Sequence, residues 1–224
     1  MKGKISEVFE SVQGEGIYLG EKQLFVRFFG CNLQCRFCDT KLDSFVEYEP
    51  HELIEQIKLF YENYHSISFT GGEPLLQKDF LKELLYYTRC YGYQNYLETN
   101  GTLPDELSEV INYVDIVAMD LKLPSSAGLD KGLWDEHRDF LKVASQKCVF
   151  IKSVICDSTT ADDLNASLKL IKETDKSAIL VLQPNSYEGY DRLRGKLENY
   201  KDICMRNDVT ACIIPQMHKV VGIK

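Results

Sequence analysis

Strand-forming and helix-forming segments alternate along almost the whole of this 224-residue chain, and that alternation restricts the fold more than any other property of the sequence. Residues 24–29 are apolar, rich in strand formers and closed by Gly30, so they read as a first core strand. Glu49-Pro50-His51-Glu52 then opens a helix in which Leu53, Ile54, Ile57 and Phe60 or Tyr61 recur at helical spacing. The alternation continues through strands at 66–69, 94–97, 115–119, 148–155, 178–182 and 209–214, with helices around 80–90, 107–114, 134–144, 161–174 and 190–206. Helix-length connections demand parallel pairing with right-handed crossovers. The expected fold is therefore α/β, a curved, mainly parallel sheet of about six to seven strands with helices outside. That is too few strands for a closed eight-fold barrel, so a partial (β/α) barrel is expected, with a flat doubly wound sheet as the alternative. Residues 4–12 alternate loosely and read as an edge strand or hairpin arm. No linker or repeat interrupts the pattern, which predicts one domain over 1–224.

Composition narrows the class. At 44% hydrophobic residues the chain is globular, and no run approaches the ~20 apolar residues of a membrane span. The start, Met1-Lys2-Gly3-Lys4-Ile5-Ser6-Glu7, lacks the apolar run of a secretion signal, so a cytoplasmic address and reduced cysteines are expected. Of the eight cysteines, Cys90, Cys148, Cys156, Cys204 and Cys212 show no ligand spacing and read as small buried hydrophobes. A net charge of −8 argues against a phosphate-tracking surface, so a small-molecule substrate is favoured over nucleic acid.

Parallel α/β sheets hold ligands beyond the carboxyl ends of their strands, and the unusual residues of this chain fall there. After the first core strand come Cys31, Cys35 and Cys38 in a Cys-x3-Cys-x2-Cys spacing, running into Asp39 and Thr40. Three thiolates ask for a metal. A structural zinc site wants a fourth protein ligand, which no second motif offers, whereas a 4Fe-4S cluster held by three cysteines leaves one iron open. Thr70-Gly71-Gly72-Glu73-Pro74 follows the second strand and is either an ordinary turn or a place where a ligand meets bare backbone beside a carboxylate. Glu98-Thr99-Asn100-Gly101-Thr102 follows the third strand, Asp120-Leu121-Lys122 the fourth, Gln183-Pro184 the sixth and Pro215-Gln216-Met217-His218-Lys219 the seventh, while Lys152 lies within the fifth. Asn-Gly is also a strong turn former, a lone lysine after a strand is usually solvated, and Thr40 could be a cap or turn threonine. Convergence of seven strand ends on one mouth is what points to a site.

The cysteine spacing resembles that of the radical S-adenosylmethionine (SAM) enzymes, and its Cys-Asp-Thr ending is similar to the 7-carboxy-7-deazaguanine synthases among them. The resemblance extends through Gln13-Gly14-Glu15-Gly16, Arg27, the Thr-Gly-Gly-Glu-Pro and Glu-Thr-Asn-Gly-Thr segments and the terminal Pro-Gln-Met-His-Lys, so it spans nearly the whole chain. It implies a radical-SAM fold with a 4Fe-4S cluster on Cys31, Cys35 and Cys38 and with SAM chelating the open iron. SAM would be contacted by Phe37, Cys38, Asp39, Gly72, Glu73, Glu98, Asn100, Asp120, Leu121, Lys122, Gln183 and Pro184. Thr40 would coordinate Mg²⁺. The substrate, 6-carboxy-5,6,7,8-tetrahydropterin, would be bound by Gln13, Gly14, Glu15, Arg27, Thr70 and His218.

The implied reaction is hydrogen abstraction by a SAM-derived radical and ring contraction with ammonia loss, on the route to queuosine and related 7-deazapurines. An electron donor such as flavodoxin or ferredoxin and a homodimeric state belong to the same implication. The stretch from Lys41 to Tyr48 departs from the family's aromatic and glycine pattern. Two other readings compete: a glycyl-radical activase, which uses the same cysteine spacing on a protein substrate, and a non-catalytic iron–sulfur or zinc module.

Overall fold

The computed structural model describes residues 1–40, 42–60 and 63–222. Lys41, at the head of the divergent stretch, and Tyr61, expected on the inner face of the first helix, lie outside the described residues, as do Glu62, Ile223 and Lys224.

One nine-stranded sheet organises the chain. Its strands are β1 (Gly3–Val12), β2 (Lys22–Phe28), β3 (Val46–Tyr48), β4 (Ser66–Gly71), β5 (Asn95–Thr99), β6 (Ile116–Asp120), β7 (Cys148–Ile155), β8 (Ile179–Pro184) and β9 (Ala211–Ile213). They lie in the order β3-β1-β2-β4-β5-β6-β7-β8-β9, so the sheet is open, with β3 and β9 at its edges. From β2 through β9 every neighbouring pair is parallel, as helix-length connections require, while β1 runs antiparallel to both β2 and β3. The expected parallel strands are all present. The sheet is wider than expected because β1 is a hairpin arm on β2 and because β3 pairs its three residues with Gly3, Lys4 and Ile5. β3 lies in the divergent 41–48 stretch, and three residues are too few to display an alternation.

The helices are α1 (Pro50–Ile57), α2 (Lys78–Cys90), α3 (Pro104–Val110), α4 (Pro124–Ala127), α5 (Trp134–Ala144), α6 (Ala161–Thr174), α7 (Tyr190–Arg206) and α8 (Met217–Val221). The helix expected over 107–114 starts earlier, with Pro104 in its first turn, and passes into a 3₁₀ turn at Ile111–Tyr113. α1 begins where the sequence places it: the Glu52 carboxylate accepts the Glu49 N–H at 2.8 Å, satisfying a donor at the helix start.

Two-residue periodicity separates the faces of the sheet. Val26, Phe28, Ile67, Phe69, Leu97, Val117, Met119, Ile151, Leu180 and Leu182 point to the helices and are sealed against Leu53, Ile57, Phe80, Leu84, Leu107, Phe140, Leu168 and Leu197. The intervening residues face the other way. There Tyr96, Ile116, Ala118, Phe150 and Val181 form a smaller apolar cluster, and above it the strands carry Arg27, Thr70, Glu98, Asp120, Lys152 and Gln183.

Candidate active site

That second face lines a cavity of ≈ 610 Å³, within the range of small-molecule sites. The cysteine loop forms one wall, and Cys31, Cys35 and Cys38 all carry free thiols at the cavity. The loop is fixed from several sides. The Cys38 N–H donates to Cys35 O at 3.0 Å and the Arg36 N–H to Ala127 O at 2.8 Å. The Asn100 amide donates to Asn32 Oδ1 at 2.8 Å while Asn32 donates to Thr102 Oγ1 at 2.9 Å, which ties the loop to the end of β5. Burial pushes the Cys35 thiol up and the nearby Lys122 opposes that shift. Among the described residues no three His, Cys, Asp or Glu side chains are gathered to hold a single metal ion. A cluster needs its thiolates spread over separate irons, so three thiols lining one wall suit it better than they suit zinc.

Gly71 and Gly72 serve packing as much as ligand approach. A Cβ on Gly71, whose φ is 130°, would lie 2.3 Å from Phe28 O, and one on Gly72 would lie 1.8 Å from Gly30 O. Both glycines therefore let the end of β4 rest on the root of the cysteine loop. Glu73 turns away from the cavity. Fully buried, it accepts from Leu75 N at 3.1 Å, Thr99 Oγ1 at 2.9 Å and Asn100 N at 2.7 Å, and burial pushes its carboxyl up to about 7. Leu121 and Pro184 are likewise buried and outside the cavity lining. Every other candidate is at the wall: Gln13, Gly14, Glu15, Arg27, Thr70 and His218 of the expected substrate set, with Phe37, Asp39, Thr40, Gly72, Glu98, Asn100, Asp120, Lys122 and Gln183.

The wall is a network of charge. Glu98 accepts from Gln13 Nε2 at 2.8 Å, Ser68 Oγ at 3.3 Å and Thr70 Oγ1 at 2.7 Å. Arg27 Nε donates to Glu7 at 2.6 Å, and its guanidinium lies 5.5 Å from the Phe9 ring centre. Asp120 Oδ2 receives Lys122 at 2.8 Å and Lys152 at 3.4 Å, and Lys152 also pairs with Glu15. Gln216 donates to both Glu15 (2.6 Å) and Asp39 (3.1 Å), Lys219 pairs with Asp39, and Met217 N–H donates to Gly14 O at 2.9 Å. His218 packs so closely on Gly14 that a Cβ there would meet its Nδ1 at 2.2 Å. The sequence alone assigns no specific ligand contact to Glu7, Lys152, Gln216 or Lys219. The signal for Lys152 was a lysine inside an apolar strand; for Glu7 nothing distinguished it from a solvated strand residue.

The profile of the Radical SAM superfamily matches residues 25–172. A 7-carboxy-7-deazaguanine synthase of Geobacter sulfurreducens is 36% identical over 245 residues, covering 98% of this chain and 97% of the relative. One of Methanothermobacter thermautotrophicus is 34% identical, covering 100% and 99%. The chain belongs to the 7-carboxy-7-deazaguanine synthase family of radical SAM enzymes. The crystal structure of QueE from Escherichia coli shares the fold of this synthase-family chain, with a TM-score of 0.67 at 21% identity over 95% of this chain and 94% of that one.

Membership in the synthase family carries a 4Fe-4S cluster and SAM, and the residues present fit both. Three thiols share a wall, and two buried acceptors of cavity-lining residues, Asp120 Oδ1 and Gln183 Oε1, have no hydrogen-bond partner among the described residues, which suits the hydroxyl and amino donors of a nucleoside. Lys122 lies 5.2 Å from the centre of the Phe37 ring, so the side chain before Cys38 is held against the same group of charges.

Proposed function

We propose that this enzyme makes 7-carboxy-7-deazaguanine, the product that its relatives' name states for them, and that it does so from 6-carboxy-5,6,7,8-tetrahydropterin with loss of ammonia. The observation that carries this reading is the composition of the wall facing the cysteines. It offers the Glu15 carboxylate for a flat ring edged with N–H donors and a guanidinium on Arg27 for a carboxylate. Held by Cys31, Cys35 and Cys38, the cluster with SAM would supply a carbon radical able to take a hydrogen atom from the substrate.

The chain's own residues bind, orient and shield. Glu15 accepts from the aminopyrimidine edge; Arg27, aligned by its pairing with Glu7, takes the substrate carboxylate; Thr70 and Gln13, which hold Glu98 from either side, face the substrate at the same wall. Tyr96, Phe150 and Phe25 floor the cavity with apolar surface that excludes water. Thr40 offers a hydroxyl oxygen beside the cluster loop for Mg²⁺, which takes few protein ligands and completes its shell with water and substrate oxygens. His218 closes the substrate side from α8. The chain acts as one domain over 1–224, as a homodimer in the cytoplasm, and draws electrons from a flavodoxin or ferredoxin. Among the described residues no helix is long and apolar enough to cross a membrane.

Anaerobic purification, reconstitution with iron, sulfide and SAM, and assay with the pterin in the presence of Mg²⁺ test the reading. Formation of the deazaguanine is the expected result. Cleavage of SAM without it removes the substrate assignment.

A further inference from the structure

Lys152 lies mid-strand in β7, on the side shared with Phe150 and Val154, and its side chain is only 16% exposed. An ammonium so placed must be held by opposite charge, because an isolated buried cation is strongly unfavourable. It is held twice. Asp120 is its register partner on β6, with Oδ2 3.4 Å from Nζ, and Glu15 Oε2 reaches it from the loop after β1.

Glu15 is fixed at both oxygens, by Lys152 on Oε2 and by Gln216 Nε2 on Oε1, while its backbone N–H donates to Gln13 Oε1 at 3.0 Å. Each carboxylate oxygen accepts two hydrogen bonds, so each keeps a lone pair for a ligand in the cavity. The charges around it are mixed. Asp120 on β6 and Glu98 on β5 are negative; Lys122, just past β6, pairs with Asp120; Asp39 of the cysteine loop and Lys219 and His218 of α8 approach from the far side. Burial and Asp120 push the Glu15 carboxyl up, and Lys152 with Gln216 brings it below its ordinary value.

We propose that Lys152 is a substrate-positioning residue: its ammonium, seated between Glu15 and Asp120, keeps the Glu15 carboxylate charged and aimed as a two-oxygen acceptor for the aminopyrimidine edge of the substrate. This rests on the reading of Glu15 as a substrate contact. A protonated Glu15 would turn one acceptor into a donor facing the substrate's own N–H groups, so recognition would fail at low pH. With Lys152 in place the charged form persists well below neutrality, and binding is insensitive to pH there. Without it, burial and the Asp120 charge that Lys152 no longer offsets favour the protonated carboxyl.

The test is calorimetric titration of 6-carboxy-5,6,7,8-tetrahydropterin into the cluster-loaded, SAM-loaded enzyme, anaerobic and without reductant so that no turnover occurs. Across about pH 6 to 8.5 the Lys152→Met protein should bind at least about tenfold more weakly at the acid end than at the alkaline end, relative to the unmodified enzyme measured in parallel, which is the loss expected when the group titrates about one unit above the acid end of the range. Lys152→Arg should restore the profile of the unmodified enzyme. His218 and the substrate's own groups are present in every sample, so a difference between profiles belongs to Lys152. A second comparison avoids an unpaired carboxylate at position 15 and any folding defect it brings: adding Lys152→Met to Glu15→Gln should cost less than about twofold in affinity at any pH. A pH-independent loss in Lys152→Met, or a loss in the Glu15→Gln background as large as in the native one, overturns the proposal. An unmodified enzyme with no affinity for the pterin overturns the substrate reading itself, and the role of Lys152 with it.

Discussion

The carbonyl oxygen of Gly30 lies 1.8 Å from where a Cβ on Gly72 would stand, so the root of the cysteine loop and the turn after β4 touch backbone to backbone. Two hydrogen bonds fasten the same seam, Gly72 N–H to Phe28 O at 3.1 Å and Glu73 N–H to Gly30 O at 2.8 Å. The position of the three thiols is thereby set by a strand that carries none of them. Gly72→Ala must push the loop aside. The expected outcome is a protein that keeps its secondary structure but, after reconstitution, holds well under the iron and sulfide of the unmodified enzyme. Full iron and sulfide content would show that the loop shifts without consequence.

Thr40 lines the cavity two residues after Cys38, and valine has the same shape without the hydroxyl oxygen. Thr40→Val should retain the cluster and SAM cleavage and lose most Mg²⁺-dependent turnover. Turnover that stays unchanged as Mg²⁺ is titrated would reduce Thr40 to a loop residue.

Glu98 collects donors from Gln13, Ser68 and Thr70. In Glu98→Gln the amide oxygen can still take the Gln13 donor, and the Thr70 hydroxyl can rotate to accept, so thermal stability should change little. Glu98→Leu leaves those donors unpaired in a largely buried wall, a loss of about 1–3 kcal/mol, seen as a fall of several degrees in Tm. Equal melting temperatures for the two variants would contradict this account.

The Glu73 carboxyl sits at about 7 in the folded chain against an ordinary 4.5, because burial outweighs the three donors around it. Over that interval the native state holds a proton that the unfolded state has released, so stability from this group is full below about pH 4.5 and is lost as pH rises through about 7. The loss amounts to about 3 kcal/mol at most, taking 1.36 kcal/mol per unit. Urea unfolding at several pH values should show this decline, and Glu73→Gln should flatten it. A Glu73→Gln profile that keeps the unmodified slope would place the titrating group elsewhere.

Strand ends were legible in the sequence because glycine, cysteine and proline punctuate them; the strand interiors were less so. Arg27 and Thr70 are register partners on adjacent strands, and so are Asp120 and Lys152, yet sequence alone does not show which strands are neighbours or which face is hollow. Lys152 and Glu7 acquire meaning only once two-residue alternation is combined with that strand order. Glu73, Leu121 and Pro184 failed to reach the cavity for the same reason. Each follows or alternates with a residue that faces it, and adjacent side chains on an extended chain point to opposite sides. α8 and β3 are short elements made by tertiary contact, with too few residues to announce a period.

Gln216 meets Glu15 across 201 positions of sequence, so the substrate wall is closed by contacts between the two ends of the chain's fold. Contacts of such separation carry a larger loop-closure cost than local ones. The parallel strands and the cysteine loop can be in place while that wall is still open. Releasing the segment from Gln216 to Lys219 would therefore unmake the pterin side of the wall while leaving the ties of the cysteine loop to Asn100 and Ala127 in place.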